Sequence, residues 1–213
     1  MAFDYSVMLD LEDKVALVVG GGAVAKRKIK DLIDVKAKVI IISPSLTDQT
    51  VLQNKSVKYI NRAFQLEDIV QWKPFIVFAA TNDIKLNRII ADYCNKNQIL
   101  VNSISDPKLG NLSVQAKIEK EQFCVSVSTY GKGPGFSRTL KKHLEQVLDD
   151  KLDLAVQIYI DIREWLFTKY DDSSIRVEYL RRLSLEEILR IIEKENLEYN
   201  DLLERVKEWL SCS

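Results

Sequence analysis

In the first half of the chain, continuous apolar runs alternate with segments whose apolar residues recur at helical spacing. The runs at residues 15–19, 39–42 and 74–81 contain almost no polar side chain, which is typical of strands buried on both faces. Weaker runs at residues 57–60 and 99–105 extend the series. The apolar residues at helical spacing are Ile29, Leu32, Ile33, Leu86, Ile89, Ile90, Tyr93 and Cys94. This alternation predicts an α/β fold with a Rossmann-type parallel sheet that carries helices on both faces.

The pattern changes after Asp106. Residues 111–129 contain two short apolar runs joined by a charged turn, which indicates an antiparallel hairpin. Residues 131–138, GKGPGFSR, predict a loop because glycine and proline interrupt regular structure. From residue 137 onward apolar residues follow helical spacing, and Ser184 with Glu187 forms a capping box. The parallel sheet is therefore expected to be followed by a small α+β region and a helical C-terminal part.

Composition and charge narrow the class of protein. Of the 213 residues 46% are hydrophobic, and 31 basic residues balance 31 acidic ones. A net charge of zero gives no global field that would attract nucleic acid or a membrane surface, and no apolar run reaches membrane-spanning length. The first ten residues carry acidic side chains rather than the positive start of a secretory signal. We therefore expect a cytoplasmic protein with no nucleic-acid and no membrane partner.

Cysteine and histidine are sparse. Cys94, Cys124 and Cys212 are far apart along the chain, and the one histidine is His143. No two of these residues have the short spacing of a metal site, and nothing resembles a disulfide framework. The expectation is reduced thiols and no metal site.

Three consecutive glycines follow the first apolar run and precede the first helical segment. Gly20, Gly22 and Ala25 fit the G-x-G-x-x-G/A fingerprint of dinucleotide-binding sites, in the strand-to-helix context that it requires. The first glycine permits a tight turn, the second lets a pyrophosphate approach the backbone, and the small third residue lets the helix pack close to the strand. Ala23 and Val24 lie between them, at the helix start whose N–H groups bind phosphate. The turn predicts a dinucleotide site, and a turn used only for close packing is the alternative.

The end of the second apolar run leaves the choice of dinucleotide open. NAD sites usually place a carboxylate about 20 residues after the glycines, where it holds the ribose hydroxyls. Here the run ends at Ser43 and Pro44. A serine hydroxyl can still bind a ribose but does not repel a 2′-phosphate, and no arginine stands beside it to favour one. Both NAD and NADP are compatible with these residues.

Polar residues follow two further runs. Thr81 and Asn82 stand at the end of one, and Ser103, Ser105 and Asp106 stand at the end of the next. Ligands of parallel α/β sheets bind beyond the carboxyl ends of the strands, so these residues are candidates for a site. For Asn82 the alternative is an ordinary loop or helix-capping residue.

Four separated segments together resemble one family. The segments DLEDKVALVVGGGAVAKRK, FAATND, NSISDPK and VSVSTYGKGPGFSR stand in the same order in precorrin-2 dehydrogenases, including the dehydrogenase–chelatase part of siroheme synthases. The resemblance covers roughly residues 5–145. It implies oxidation of precorrin-2 to sirohydrochlorin with NAD as the hydride acceptor, in an intertwined homodimer. It also implies three parts: a dinucleotide-binding domain (1–112), a dimerisation region (113–147) and a helical C-terminal domain (148–213).

The resemblance assigns a catalytic role to Asp106 in NSISDPK. The residues agree with that role, because a carboxylate at a strand end, in a loop stiffened by Pro107, could take a proton from the tetrapyrrole as hydride leaves. A turn-forming Asp-Pro pair is the alternative.

The substrate implied by the resemblance carries eight carboxylates and calls for basic partners. Lys108, Lys132 and Arg138 are the candidates, and Arg138 is preferred because guanidinium binds carboxylate in a bidentate manner. Ser128 and Thr129 stand where siroheme synthases have a serine pair and are further candidates for substrate contacts. The stretch NLSVQA departs from the family by lacking its proline, which leaves substrate contacts there open.

Two alternative functions remain at this stage. Some family members also insert ferrous iron into sirohydrochlorin, and Asp106 could serve both reactions, but a lone histidine and scattered cysteines favour a dehydrogenase alone. A dinucleotide-sensing module that regulates a partner is the alternative from another class. Such modules usually have the acidic residue after the second strand that this chain lacks.

Overall fold

The chain forms two compact units. The computed structural model describes residues 5–130, 132–194 and 197–212. Within them, the first unit comprises residues 5–114 with 130 and 132, and the second comprises residues 115–129 and those from 133 onward. The three-part division at residues 112 and 147 stays a prediction.

The first unit is a five-stranded parallel sheet with helices between its strands. Its strands are β1 (Val15–Val19), β2 (Lys38–Ile42), β3 (Val57–Ile60), β4 (Ile76–Ala79) and β5 (Leu100–Ser103), and its helices are α1 (Ala23–Asp34), α2 (Glu67–Trp72) and α3 (Ile84–Lys96). The spatial order is β3-β2-β1-β4-β5, with every neighbouring pair parallel. The strand order reverses between β1 and β4, and a crevice for a ligand opens at such a reversal, beyond the carboxyl ends of the strands. The predicted Rossmann-type fold is confirmed.

The continuous apolar runs form strands because both faces of the sheet are covered. Successive residues of β1 point to opposite faces: Leu17 packs in one core cluster with Ile90 of α3, and Val18 packs in the other with Ile29 of α1. All four side chains are fully buried. One sheet thus has two cores, which is the physical reason for strands without polar alternation.

Some boundaries differ from the sequence predictions. The strand predicted over residues 74–81 is shorter, since β4 spans Ile76–Ala79 and Thr81 lies in the loop beyond it. Helix α2 was not predicted, because its six residues are too few to display a helical period. It ends at Trp72, because the following residue, Lys73, has a left-handed φ of +44°.

The second unit combines a hairpin with helices. Its elements are strands β6 (Ala116–Glu119) and β7 (Cys124–Val127), and helices α4 (Pro134–Val147), α5 (Asp150–Lys169), α6 (Ser173–Arg182), α7 (Leu185–Lys194) and α8 (Tyr199–Cys212). The strands are antiparallel, as predicted. The prediction of a loop over residues 131–138 is wrong from Pro134 onward, because proline is well suited to the first turn of a helix.

Helices α5, α7 and α8 share an apolar core, in which Ile158, Ile162, Ile188 and Val206 are almost completely buried. The Ser184 hydroxyl accepts the Glu187 N–H at 3.2 Å, which confirms that half of the predicted capping box. Of the helices in the described ranges, none is long and apolar enough to span a bilayer. The same ranges contain no cluster of three or more histidine, cysteine or acidic side chains arranged to hold a metal ion.

Candidate functional site

The first glycine of the turn is required by the fold. Gly20 has a φ of +115°, a conformation that residues with a Cβ rarely adopt. A Cβ on Gly20 would also lie 2.3 Å from the carbonyl oxygen of Ala80, just beyond β4. The Gly20 N–H donates to the carbonyl of Ile42 at 2.9 Å, at the end of β2. The turn therefore lies between the ends of β2 and β4, the two strands that flank β1.

Gly21 was not among the predicted site residues, yet the structure leaves no room for a side chain there. A Cβ on Gly21 would lie 2.0 Å from the Ser45 carbonyl oxygen and 3.0 Å from the Ser43 hydroxyl. The Thr47 N–H and hydroxyl both donate to the Gly21 carbonyl, at 2.9 and 2.8 Å. The loop after β2 is thus fastened onto the glycine turn. The run of three glycines was the available signal in the sequence.

Gly22 faces open space, unlike the two glycines before it. A Cβ on Gly22 would meet no atom within 4 Å, and its φ of −77° is ordinary. Helix α1 begins directly after it at Ala23, with no acidic residue in its first turn and no side-chain cap from the described residues. Ala23 and Val24 are exposed, whereas Ala25 is fully buried against the sheet. An uncapped helix start beside an open glycine fits the pyrophosphate of a dinucleotide.

Ser43 and Pro44 lie where the second strand ends, as predicted. Ser43 is buried beside the glycine turn, and its carbonyl accepts the Tyr59 hydroxyl at 3.0 Å, whereas Pro44 is exposed. The ribose of a dinucleotide binds at this end of the second strand in Rossmann folds. The arrangement therefore fits the predicted ribose contacts.

An acidic residue lies close to the glycine turn although the sequence showed none at the end of β2. Asp48 forms an ion pair with Lys26, in the first turn of α1, at 3.1 Å. Hydrogen bonds from the hydroxyl and N–H of Thr50, together with Lys26, lower the pKa of Asp48 to about 2. Sequence reasoning missed this carboxylate because it stands five residues beyond Ser43, in a loop that folds back onto the turn.

The loop after β4 is held by a side chain from α3. The Thr81 N–H and hydroxyl donate to Oδ1 of Asn87 at 3.2 and 2.7 Å, and the same hydroxyl contacts the backbone of Asp83. Asn82 is exposed next to Thr81. Asp83 caps α3 by accepting the N–H groups of Lys85 and Leu86. The predicted pair Thr81 and Asn82 therefore lies next to the glycine turn, since a Cβ on Gly20 would be 3.1 Å from the Thr81 nitrogen.

Asp106 lies in the loop after β5, on the same edge of the sheet. Its Oδ1 accepts the Lys108 N–H at 3.0 Å and so caps the short 3-10 turn Pro107–Leu109. The side chain is half-buried. Its Oδ2 accepts no hydrogen bond from any part of the chain that the structure describes. Asp106 thus fills the turn-forming role and keeps one carboxylate oxygen available.

The predicted basic residues are exposed and belong to different units. Lys108 and Lys132 lie in the first unit, and Arg138 lies on α4 in the second. Across residues 5–130, 132–194 and 197–212, none of the three makes an ion pair, whereas Lys141 pairs with Glu145 at 3.4 Å. Their charges are available for an anionic ligand.

Ser128 and Thr129 belong to the second unit and differ in their surroundings. Ser128 is exposed, whereas Thr129 is half-buried. The Thr129 hydroxyl lies 3.0 Å from the Ser137 hydroxyl and accepts the Gly133 N–H at 3.1 Å. The Thr129 hydroxyl, which was predicted to contact substrate, therefore also holds the segment that leads into α4.

Comparison with known proteins relates the chain to one group of enzymes. Residues 7–116 match a family model described as "Putative NAD(P)-binding". Siroheme synthase from Buchnera aphidicola is 34% identical over 154 residues, which cover 71% of this chain and 32% of that protein. Precorrin-2 dehydrogenase from Bacillus subtilis is 29% identical over 143 residues, which cover 66% of this chain and 86% of that protein. The chain thus spans about a third of the siroheme synthases that it matches.

A solved structure has the same fold. The structure titled "SirC, precorrin-2 dehydrogenase" superposes with a TM-score of 0.79 at 23% sequence identity, covering 96% of this chain and 99% of that one. The likeness extends through the helical part of the chain, beyond the residues matched by the family model.

Proposed function

We propose that this chain, which belongs to the NAD(P)-binding family matched by residues 7–116, oxidises precorrin-2 to sirohydrochlorin with NAD as the cofactor. The observation that carries the proposal is the position of Asp106 on the same sheet edge as the open glycine turn. The name of the Bacillus subtilis relative, of which 86% is matched, supports the choice of reaction. A module that only senses a dinucleotide has no use for a carboxylate held there.

The residues of the glycine turn and its neighbours would hold the cofactor. The N–H groups of Ala23 and Val24, which follow Gly22 at the start of α1, would bind the pyrophosphate in the open space beside that glycine. Ser43 and Pro44 would contact the ribose at the end of β2. When bound, NAD supplies a hydride acceptor to the site. Thr81 and Asn82 would border the bound cofactor at the end of β4.

Asp106 would act as the proton acceptor of the reaction. The oxidation removes two electrons and two hydrogens from the macrocycle, one hydrogen as hydride and the other as a proton. Oδ1 of Asp106 is held by the Lys108 N–H, which leaves Oδ2 to receive the proton. Pro107 stiffens the loop, so the carboxylate is oriented before substrate arrives.

Exposed cations would bind the carboxylates of the substrate. Lys108, Lys132 and Arg138 are exposed and make no ion pair within the described residues. Arg138 offers a planar fork to a carboxylate, and the lysines offer point charges on flexible stems. The hydroxyls of Ser128 and Thr129 are the further candidates for substrate contacts.

The proposal includes a homodimer in the cytoplasm. Helix α4 carries an apolar stripe of which Phe136 and Val147 are each 65% exposed, while Leu140 and Leu144 are half-buried. Exposed apolar side chains at helical spacing favour a partner surface, and a two-fold homodimer is the commonest soluble oligomer.

The test supplies precorrin-2 anaerobically with NAD and follows reduced nicotinamide and sirohydrochlorin by absorbance. Both signals are expected to rise with the unmodified protein. Asp106→Asn should slow both by about 100-fold or more, because the proton acceptor is lost. Gly22→Asp should abolish NAD binding, because a carboxylate at the open helix start repels the pyrophosphate.

Asp172→Asn is the matched control for Asp106→Asn. Asp172 caps α6 by accepting the N–H of the residue two positions on, Ser174, in the same way that Asp106 accepts that of Lys108. Its replacement should leave both rates unchanged. NAD binding without either absorbance signal would refute the dehydrogenase and favour the sensing module. Repeating the assay with ferrous iron and with NADP tests the chelatase activity and the cofactor preference.

A further inference from the structure

Asn87 is a fully buried polar residue in the first unit. It lies in the first turn of α3, and its amide makes four hydrogen bonds. Its Oδ1 accepts the N–H and the hydroxyl of Thr81, and its Nδ2 donates to the Thr81 carbonyl at 2.9 Å and to the Ser105 hydroxyl at 3.1 Å. An asparagine amide has two acceptor positions and two donor hydrogens, so its whole capacity is used.

These bonds join the two loops that carry the candidate site. Thr81 follows β4, and Ser105 follows β5 and immediately precedes Asp106. The backbone pairing of the two strands continues only as far as the Ile104 N–H, which donates to the Ala79 carbonyl at 3.1 Å. Beyond that point Asn87 takes over the connection between the loops. Packing alone would be satisfied by an apolar side chain, and a buried amide is costly unless its bonds are made.

We propose that Asn87 is a positioning residue, which fixes the Asp106 loop relative to Thr81 and the cofactor site through its bond to Ser105. The inference rests on the proposed function, since that assigns Asp106 and Thr81 to one reaction. Asn87 touches neither substrate nor cofactor in this role. It keeps the Asp106 carboxylate at a fixed distance from the loop that borders the cofactor, so that the carboxylate can accept the proton from a substrate bound beside that cofactor.

Ser105→Ala is the most direct variant. Ser105 is exposed, so its truncation leaves the core intact, and the three bonds between Asn87 and Thr81 remain. Turnover is expected to fall about 10- to 100-fold, because small displacements of a reacting group reduce rates by such factors. The affinity for NAD should stay unchanged, and Ser105→Thr, which keeps the hydroxyl, should restore turnover.

Ser56→Ala is the matched control. The Ser56 hydroxyl donates to Oδ1 of Asn54 at 2.8 Å, just before β3 and therefore at the opposite edge of the sheet. The substitution removes one serine–asparagine hydrogen bond from the same unit without affecting the loops after β4 and β5. Its turnover should equal that of the unmodified protein.

A second measurement does not depend on activity. The Lys108 N–H is bonded to Asp106, so its hydrogen exchange, followed by NMR, reports how firmly the loop is held. Exchange should be faster in Ser105→Ala and unchanged in Ser56→Ala. If the unmodified protein has no turnover but Lys108 shows this response, the proposed reaction fails while the link from Asn87 to the Asp106 loop stands.

Two results would overturn the inference. The first is unaltered turnover and unaltered Lys108 exchange in Ser105→Ala. The second is a loss of NAD affinity as large as the loss of turnover, which would assign the bond to cofactor binding instead.

Discussion

At the residue scale, the three glycines of the turn differ in what they permit. Gly20 has a left-handed φ, Gly21 is in contact with the loop after β2, and Gly22 faces open space. The first two are therefore requirements of the fold, and the third is available to a ligand. Substitutions at these three adjacent glycines can therefore distinguish an effect on stability from an effect on ligand binding.

Gly20→Ala should affect mainly stability, whereas Gly22→Ala should affect mainly NAD binding. Gly20→Ala is expected to lower the free energy of unfolding by about 2–4 kcal/mol, because a methyl group would be strained and would overlap the Ala80 carbonyl. Gly22→Ala should change it by less than about 1 kcal/mol but weaken NAD binding by about tenfold or more. Denaturant titration and calorimetric titration with NAD measure the two effects. Equal stabilities of the two variants would contradict this account.

At the scale of elements, a few polar side chains connect the loops at the carboxyl ends of the strands to each other and to the helices. Asp48 connects the loop after β2 to α1, and Asn87 of α3 connects the loops after β4 and β5. Both use hydrogen bonds between segments that are distant in sequence. The site is therefore assembled from loops whose spacing depends on a few polar side chains.

The Asp48 connection should depend on pH. The pKa of Asp48 is lowered from an ordinary value of 3.8 to about 2 in the folded chain, so its contribution to stability is complete above the unfolded value and is lost as the pH falls towards 2. Between about pH 4.5 and about pH 2.5, Asp48→Asn should therefore lose less stability than the unmodified protein. Urea titrations across that interval provide the measurement.

Thr50→Ala sharpens the test of this pH dependence. The largest cause of the lowered pKa is the hydrogen bond from the Thr50 hydroxyl, and the Thr50 N–H and Lys26 contribute less. Thr50→Ala should consequently give a pH dependence between those of the unmodified protein and Asp48→Asn. Identical pH dependence in all three proteins would show that Asp48 has an ordinary pKa.

At the scale of the whole molecule, the second unit presents an apolar surface that its own described residues leave exposed. Phe136 and Val147 lie eleven positions apart on α4, which places them on one face of the helix. Another exposed aromatic, Phe167 on α5, is instead flanked by the guanidinium groups of Arg163 and Arg176. The surface around α4 is the better candidate for an interface between two copies.

Phe136→Asp should convert a homodimer into monomers. A charge at the centre of an apolar interface is costly to bury, whereas the 65% exposed side chain contributes little to the fold of one chain. Light scattering after size exclusion gives the mass. Phe167→Asp is the control, because it replaces the same residue type at a position that is itself 50% exposed, and it should leave the dimer intact. A monomeric unmodified protein, or a dimeric Phe136→Asp variant, would refute the interface.

The hydrophobic pattern alone predicted the parallel sheet, the hairpin and most helices. The strands at residues 15–19 and 57–60 have the predicted bounds, and β2, β4 and β5 differ by a few terminal residues. These features are local, because the spacing of apolar residues within a short segment is enough to distinguish a buried strand from an amphipathic helix. The glycine fingerprint is local for the same reason, because its chemistry is contained within six residues.

The tertiary structure decided the features that depend on distant backbone. Gly21 needs to be glycine because of Ser45, Asp48 reaches Lys26 from a loop that folds back, and the bond from Asn87 to Ser105 joins residues eighteen positions apart. A single sequence records each residue but not which loops the sheet brings together. The sequence by itself therefore determined where the elements and the glycine turn lie, and the packing of the sheet determined which polar side chains lie together at the candidate site.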